Sequence, residues 1–147
     1  MILPQFVLPW PAPMLWPNAR KDRRAVAPHR AEQRRAAYLI ACEVGLHRLT
    51  VPSGVVTVNM CFCPPSLRDF DSDNASAAMK GAVDGIADAL RLDDKWFQVV
   101  PFRGERSKNG GVIVRATATG NSWRSIGALA FGLADAFPHP ITQDAAE

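Results

Sequence analysis

Three aspartates alternate at Asp69, Asp71 and Asp73, directly before a segment with helical periodicity. Carboxylates this close repel one another, whereas a helix start needs only one side-chain cap, which Asp73 or Asn74 could supply. A bound cation therefore explains the cluster better than capping alone. Because carboxylate oxygens are ligands that suit Mg²⁺, the cluster predicts a divalent metal site for chemistry at a phosphate.

Two other functions of the acidic cluster fit its sequence less well. A calcium loop that begins at Asp69 requires Gly at its sixth position and Glu at its twelfth, where this chain has Asn74 and Lys80. A phosphatase-type aspartyl nucleophile should directly follow a buried strand and precede Thr or Val. Here a proline-containing loop intervenes, and Ala75 follows. Metal-dependent phosphodiester hydrolysis remains the favoured chemistry.

Lys80 could complete such a site. It follows Asp73 by seven residues, two turns along the predicted helix and on nearly the same face. Since helical side chains lean toward the N-terminus, its ammonium could reach the carboxylates and stabilise a transition state. A plain surface salt bridge with Asp84, one turn further on, is the alternative role for Lys80. Beyond the helix, Asp93-Asp94 could supply a further ligand.

The net charge of +3 conceals a strong segregation of charge. Residues 20–35 contain seven cations and two acids, whereas residues 69–94 contain seven acids and two cations. A basic segment beside an acidic pocket suits a nuclease, because phosphates must be attracted while metal ions are held at one point. Solvated basic and acidic surfaces are the simpler alternative.

Four strands and two main helices are expected to position these residues. Alternation predicts strands at 5–8, 55–63, 96–102 and 112–119, and spacing predicts helices at 28–44 and 75–90. Pro101 places the third strand at a sheet edge, and Asn109-Gly110 predicts a tight hairpin between the third and fourth strands. The expected fold class is α/β (α+β). The domain should contain a small mixed sheet of about four strands with two to three packed helices.

One domain is expected for this length of 147 residues, covering 1–120, with a helical extension and tail over 121–147. Prolines interrupt the apolar start of the chain, which excludes a signal peptide or membrane span there and favours a cytoplasmic protein. The cysteines are odd in number and lack the spacing of a zinc knuckle or CxxC pair. They are expected to be reduced and to lie in the core or on a strand: Cys42, Cys61 and Cys63.

The ordered motifs resemble the RusA family of Holliday junction resolvases, especially its phage and prophage members. The resemblance spans about residues 5–119. It rests on Leu8-Pro9-Trp10-Pro11, Asp71-x-Asp73-Asn74, Lys80, Asp84-Gly85, Leu92-Asp93-Asp94 and a Gly-Gly turn. The segment after Gly120 has no counterpart that can be placed, and the spacing of Lys80 departs from that of some family members.

The resemblance implies a homodimer that uses Mg²⁺, or Mn²⁺, to nick opposed strands of four-way junction DNA. It implies that Asp71, Asp73 and Asp94 hold the metal and that Lys80 is the catalytic lysine. Neither a membrane nor a small-molecule cofactor is expected. Seven cations would bind phosphates outside the site: Arg20, Lys21, Arg23, Arg24, Arg103, Arg106 and Lys108. The alternatives are a non-catalytic protein that binds branched DNA and a broader nuclease of flaps or forks.

Overall fold

The computed structural model describes residues 1–19 and 22–120. The strands are β1 (Phe6–Leu8), β2 (Val56–Cys63), β3 (Phe97–Arg103) and β4 (Gly111–Ala118). The α-helices are α1 (Arg23–Glu43), α2 (Ser72–Ala78) and α3 (Lys80–Leu90). Three 3₁₀ turns lie at Pro13–Leu15, Leu46–Arg48 and Asp94–Trp96. The predicted fold, a four-stranded mixed sheet with three helices in one α+β domain, is confirmed.

The sheet has the strand order β1-β4-β2-β3. β4 pairs antiparallel with both β1 and β2, whereas β3 pairs parallel with β2. The predicted hairpin between β3 and β4 is therefore wrong, because the two strands flank β2. The turn itself exists: Gly110 has φ 67° and donates to the carbonyl of Ser107. It belongs to a connection that passes the end of β2, where Ser107 donates to the carbonyl of Pro64. β3 lies at a sheet edge, as Pro101 predicts.

One face of the sheet packs against the helices. Val56, Val58, Met60 and Phe62 alternate along β2 and are fully buried. They join one core with four residues spaced along the segment that was predicted to be a helix over 75–90: Met79, Val83, Ile86 and Leu90. Burying side chains of this size is the main stabilising contribution to such a fold.

Helices α1 and α3 approach closely because α3 carries glycines where it faces α1. A Cβ added at Gly85 would lie 2.2 Å from the carbonyl oxygen of Arg34, and one at Gly81 would lie 2.7 Å from that of Arg30. Any larger residue would force the helices apart. Gly85, part of the Asp84-Gly85 motif, therefore has a packing role.

Two helix boundaries differ from the sequence prediction. α1 begins at Arg23 instead of residue 28, because the Asp22 side chain caps it by accepting from the Arg24 backbone N–H at 3.0 Å. Pro28 lies inside the helix and leaves the exposed carbonyl of Arg24 without its intrahelical donor. The end of α1 agrees with prediction, since Gly45 follows in the left-handed conformation with φ 88°.

The predicted single helix over 75–90 is interrupted at Met79, which separates α2 from α3. The Gln33 side chain from α1 satisfies backbone groups around the break. Its Nε2 donates to the carbonyl of Ala78 at 2.9 Å, and its Oε1 accepts from the N–H of Ala82 at 3.2 Å.

The predicted extension over 121–147, including its helix at 122–137, lies outside the described residues. In the part of the chain that is described, none of the helices combines the length and apolar character needed to cross a membrane.

Candidate functional site

The first two predicted metal ligands lie at the start of α2. Asp71 is the N-cap, and its Oδ1 accepts from the backbone N–H groups of Asp73 at 2.7 Å and Asn74 at 3.4 Å. The expectation that Asp73 or Asn74 provides the cap is therefore wrong. Asp73 lies exposed in the first turn of α2, where its side chain is not needed to start the helix.

Lys80 connects two acidic residues that are distant in sequence from each other. Its Nζ donates to Asp84 Oδ1 at 2.8 Å, which confirms the predicted pair, and also to Asp94 Oδ2. The hydrogen bond that Lys80 donates to Asp84, followed by the one it donates to Asp94, raises the pKa of Lys80 against the opposing effect of partial burial. Lys80 is therefore a cation at neutral pH, about half exposed at the first residue of α3.

The break at Met79 changes the geometry expected for Lys80. The prediction of one continuous helix from Asp73 past Lys80 is wrong. The partners of Lys80 are Asp84 and Asp94 instead.

Asp93 and Asp94 have different roles. Asp93 caps the 3₁₀ turn by accepting from the Lys95 N–H at 3.1 Å, and it also pairs with the Lys95 ammonium at 2.9 Å. This ion pair is the largest cause that lowers the pKa of Asp93. Asp94 faces Lys80. Of the two neighbours, Asp94 is the one that contacts the candidate catalytic lysine.

An open acidic cleft of about 320 Å³ lies beside this pair, lined by Arg34, Leu92 and four aspartates: Asp84, Asp88, Asp93 and Asp94. The Arg34 guanidinium forms a bidentate ion pair with Asp88 at 2.7 and 2.9 Å. Arg34 therefore bridges α1 and α3.

The donor chemistry suits a hard cation, since every candidate ligand is a carboxylate. Within residues 1–19 and 22–120, however, no three carboxylate, imidazole or thiol side chains are grouped to hold a metal ion. Two of the predicted metal ligands have separate partners. Asp71 accepts hydrogen bonds from backbone N–H groups, and Asp94 accepts one from Lys80.

Phe70 anchors the loop that contains Asp69 and Asp71, here called the acidic loop, to the rest of the domain. Its ring contacts three other aromatic side chains with centroid separations of 5.7 to 6.0 Å: Trp10, Trp16 and Phe62. On its other side, the guanidinium carbon of Arg103 lies 4.6 Å from the Phe70 ring centroid, and Arg103 donates to Asp69 at 2.6 Å. This aromatic cluster positions the backbone between Asp69 and Asp71.

The predicted phosphate-binding cations are dispersed. Arg20 and Lys21 lie outside the described residues, whereas Arg23 and Arg24 are exposed in the first turn of α1. Arg103 is held by Asp69 and Phe70, Arg106 donates to the carbonyl of Pro65 at 3.3 Å, and Lys108 is exposed in the β3–β4 connection. Arg103 and Arg106 therefore lie on the same side of the molecule as the acidic loop.

Comparison with known proteins relates the chain to a protein of unassigned activity. No family model matches the chain. An uncharacterized protein of Xylella fastidiosa (strain Temecula1 / ATCC 700964) is 38% identical over 116 residues, which cover 77% of this chain and 74% of the relative. The chain belongs to the same family as this Xylella protein. Family membership assigns no activity here, so the function rests on the residues themselves.

Sequence reasoning missed several residues that support the site in this member of the family. Trp10 was noted as part of a motif, but its packing against Trp16 and Phe62 was not predicted. The sequence Asp69-Phe70-Asp71 places an apolar residue between two aspartates, and this pattern could have predicted that Phe70 packs into the domain. No comparable signal identifies Gln33, because its partners lie 45 or more residues away.

Proposed function

We propose that this protein is a metal-dependent endonuclease of branched DNA that resolves four-way junctions in the manner of the RusA family. The observation that carries the proposal is the contact of Lys80 with Asp94, just after a helix that begins at Asp71-x-Asp73-Asn74. Lys80 and Asp94, two of the residues that the resemblance assigns to one site, thereby meet although they come from different elements, α3 and the turn before β3.

Lys80 would supply positive charge to the reacting phosphate. It is a permanent cation at neutral pH, and it is held by two carboxylates that leave it about half exposed. A positioned ammonium of this kind stabilises the negative charge that develops on phosphoryl oxygens. Asp84 would act as a positioning residue, because its hydrogen bond directs the Lys80 side chain along the helix surface.

A Mg²⁺ or Mn²⁺ ion held by Asp71, Asp73 and Asp94 would offset phosphate charge and lower the pKa of the attacking water. Mg²⁺ sites commonly combine one or two carboxylates with waters and substrate phosphates. Because Asp71, Asp73 and Asp94 are not grouped in the described residues, waters and the phosphates of the bound DNA would complete the ligands of the ion.

Four-way junction DNA is the proposed substrate and partner. Arg103, which pairs with Asp69, and Arg106, which contacts Pro65, could hold phosphates of the bound DNA. Because a junction presents two equivalent strands, paired nicking requires two sites related by a two-fold axis. The proposal therefore includes a homodimer. It also places the protein in the cytoplasm, where branched DNA arises.

The deciding experiment incubates the full chain with Mg²⁺ and a synthetic four-way junction, a fork or a linear duplex. Symmetric paired nicks in the junction alone are expected. A mobility shift without cleavage would overturn the nuclease in favour of a DNA-binding protein. Equal cleavage of forks would favour a broader structure-specific nuclease. Light scattering under cleaving conditions should give about twice the 16.0 kDa chain mass.

A further inference from the structure

Two thiols converge on one point of the sheet face that lies opposite the helices. Cys61 and Cys63 alternate along β2, and their side chains therefore share the face opposite Phe62. A Cβ added at Gly104 would lie 2.7 Å from Cys61 Sγ and 2.8 Å from Cys63 Sγ. Since both sulfurs lie this close to one point, they are at most about 5.5 Å apart.

Gly104 lets both sulfurs pack directly against its backbone, because it has no Cβ. Its N–H donates to the carbonyl of Phe62 at 2.8 Å, which fixes its backbone against the end of β2. A shallow cavity of about 120 Å³ borders Cys61, with Asn59 and Phe102 in its wall. Both thiols are partly exposed, so a small ion can reach them from solvent.

From this geometry we propose that Cys61 and Cys63 form a two-thiolate site for a soft monovalent cation of the Cu(I) class. Thiolates select such soft ions over Mg²⁺ and other hard cations. Two metal–sulfur bonds of about 2.3 Å, the length of a zinc–thiolate bond, place the sulfurs about 4.6 Å apart when linear. That separation is within the limit set by Gly104. Binding releases two protons: two thiols and one monovalent cation give one anionic bis-thiolate complex and two H⁺.

A disulfide fits this pair less well. Residues i and i+2 of a strand have Cα atoms about 6.7 Å apart, at the upper limit of the disulfide range and beyond its usual value of about 5.5 to 6 Å. A metal ion spans the gap without bending β2.

The test titrates Cu(I) anaerobically into the full chain against a chromogenic Cu(I) chelator. One Cu(I) per chain is expected for the native protein and for Cys42→Ser, which retains only the strand pair. Cys61→Ser and Cys63→Ser should each weaken binding about tenfold or more. Gly104→Ala should also weaken it, because the new methyl group crowds both sulfurs while all three thiols remain.

A second measurement needs no variant. One equivalent of Cu(I) should protect Cys61 and Cys63 of the native protein from alkylation and leave Cys42 reactive. Unchanged affinity in Cys61→Ser or Cys63→Ser, or protection that includes Cys42 equally, would overturn the site. Loss of two thiols without retained copper would also overturn it, since that result means oxidation instead of binding.

Discussion

Lys80 donates a hydrogen bond to Asp94, fourteen residues further along the chain, and thereby ties the start of α3 to the turn before β3. The same ammonium contacts Asp84. The lysine thus lies between two carboxylates of which only Asp94 is a proposed metal ligand. This arrangement separates a positioning role for Asp84 from a ligand role for Asp94.

Replacement of Lys80 by Met should lower the rate of junction cleavage by about a hundredfold, the usual effect of losing one transition-state donor. Lys80→Arg retains the charge and should recover part of the rate. Single-turnover cleavage is the measurement. Lys95→Met is the matched control, because Lys95 is also exposed and pairs with an aspartate of the same turn. Equal losses in the Lys95 and Lys80 variants would remove the specific role of Lys80.

Replacement of Gly85 by Ala should destabilise the domain by about 3 kcal/mol, near the upper end for overpacking. The added methyl group would meet the backbone oxygen of Arg34, which cannot rotate away. Urea denaturation measures the loss. Gly120→Ala should change stability by less than about 0.5 kcal/mol, since a methyl group added there would meet no atom of residues 1–19 or 22–120 within 4 Å. Similar stabilities for the two variants would contradict the close packing of α1 on α3.

Removal of the Phe70 ring should lower the free energy of unfolding by about 2 kcal/mol. The loss is smaller than for a fully buried Phe because Phe70 is half-buried. Cleavage should fall as well, since Phe70 anchors the backbone between Asp69 and Asp71. The comparison is Phe70→Ala with Leu67→Ala, because Leu67 is in the same loop and is 85% exposed. If Phe70→Ala kept native stability and native cleavage, the aromatic cluster would have no role in positioning the loop.

Much of the fold follows from local pattern. Alternation identified β2, and helical spacing identified the segment over 75–90, because burial on one face imposes the period of each element. The strand order did not follow, since Asn109-Gly110 specifies a turn and not the strand that each flank pairs with.

The candidate site was predictable in its residue types but less so in its geometry. The sequence around Met79 contains no Pro at the point where α2 ends, and the groups at the break are satisfied by Gln33 from α1. The pairing of Lys80 with Asp84 followed from helical spacing, whereas its contact with Asp94 depends on tertiary packing.

The rate of Cys61 alkylation by iodoacetamide should be low at neutral pH. It should rise with pH, with a midpoint above pH 9.0, the ordinary pKa of the thiol. Burial holds the group protonated, so the unfolded chain deprotonates at lower pH than the folded one. Stability from this group is therefore complete below the ordinary pKa and is lost as pH rises through the folded value. Mass spectrometry of the Cys61 peptide, with the urea-unfolded chain as control, measures the midpoint. Equal midpoints would show that Cys61 is not perturbed.

The proposed metal site can be tested with Asp73→Asn on a four-way junction, with cleavage and metal-free binding measured in parallel. Asp71 provides the cap of α2, so the variant should fold normally. Its cleavage with Mg²⁺ should fall by about a hundredfold, while its junction affinity holds or rises because an anion is removed from a phosphate-facing surface. Asp69→Asn, which alters the neighbouring carboxylate paired with Arg103, should keep most of the cleavage. Near-native cleavage by Asp73→Asn would contradict a catalytic metal at this site.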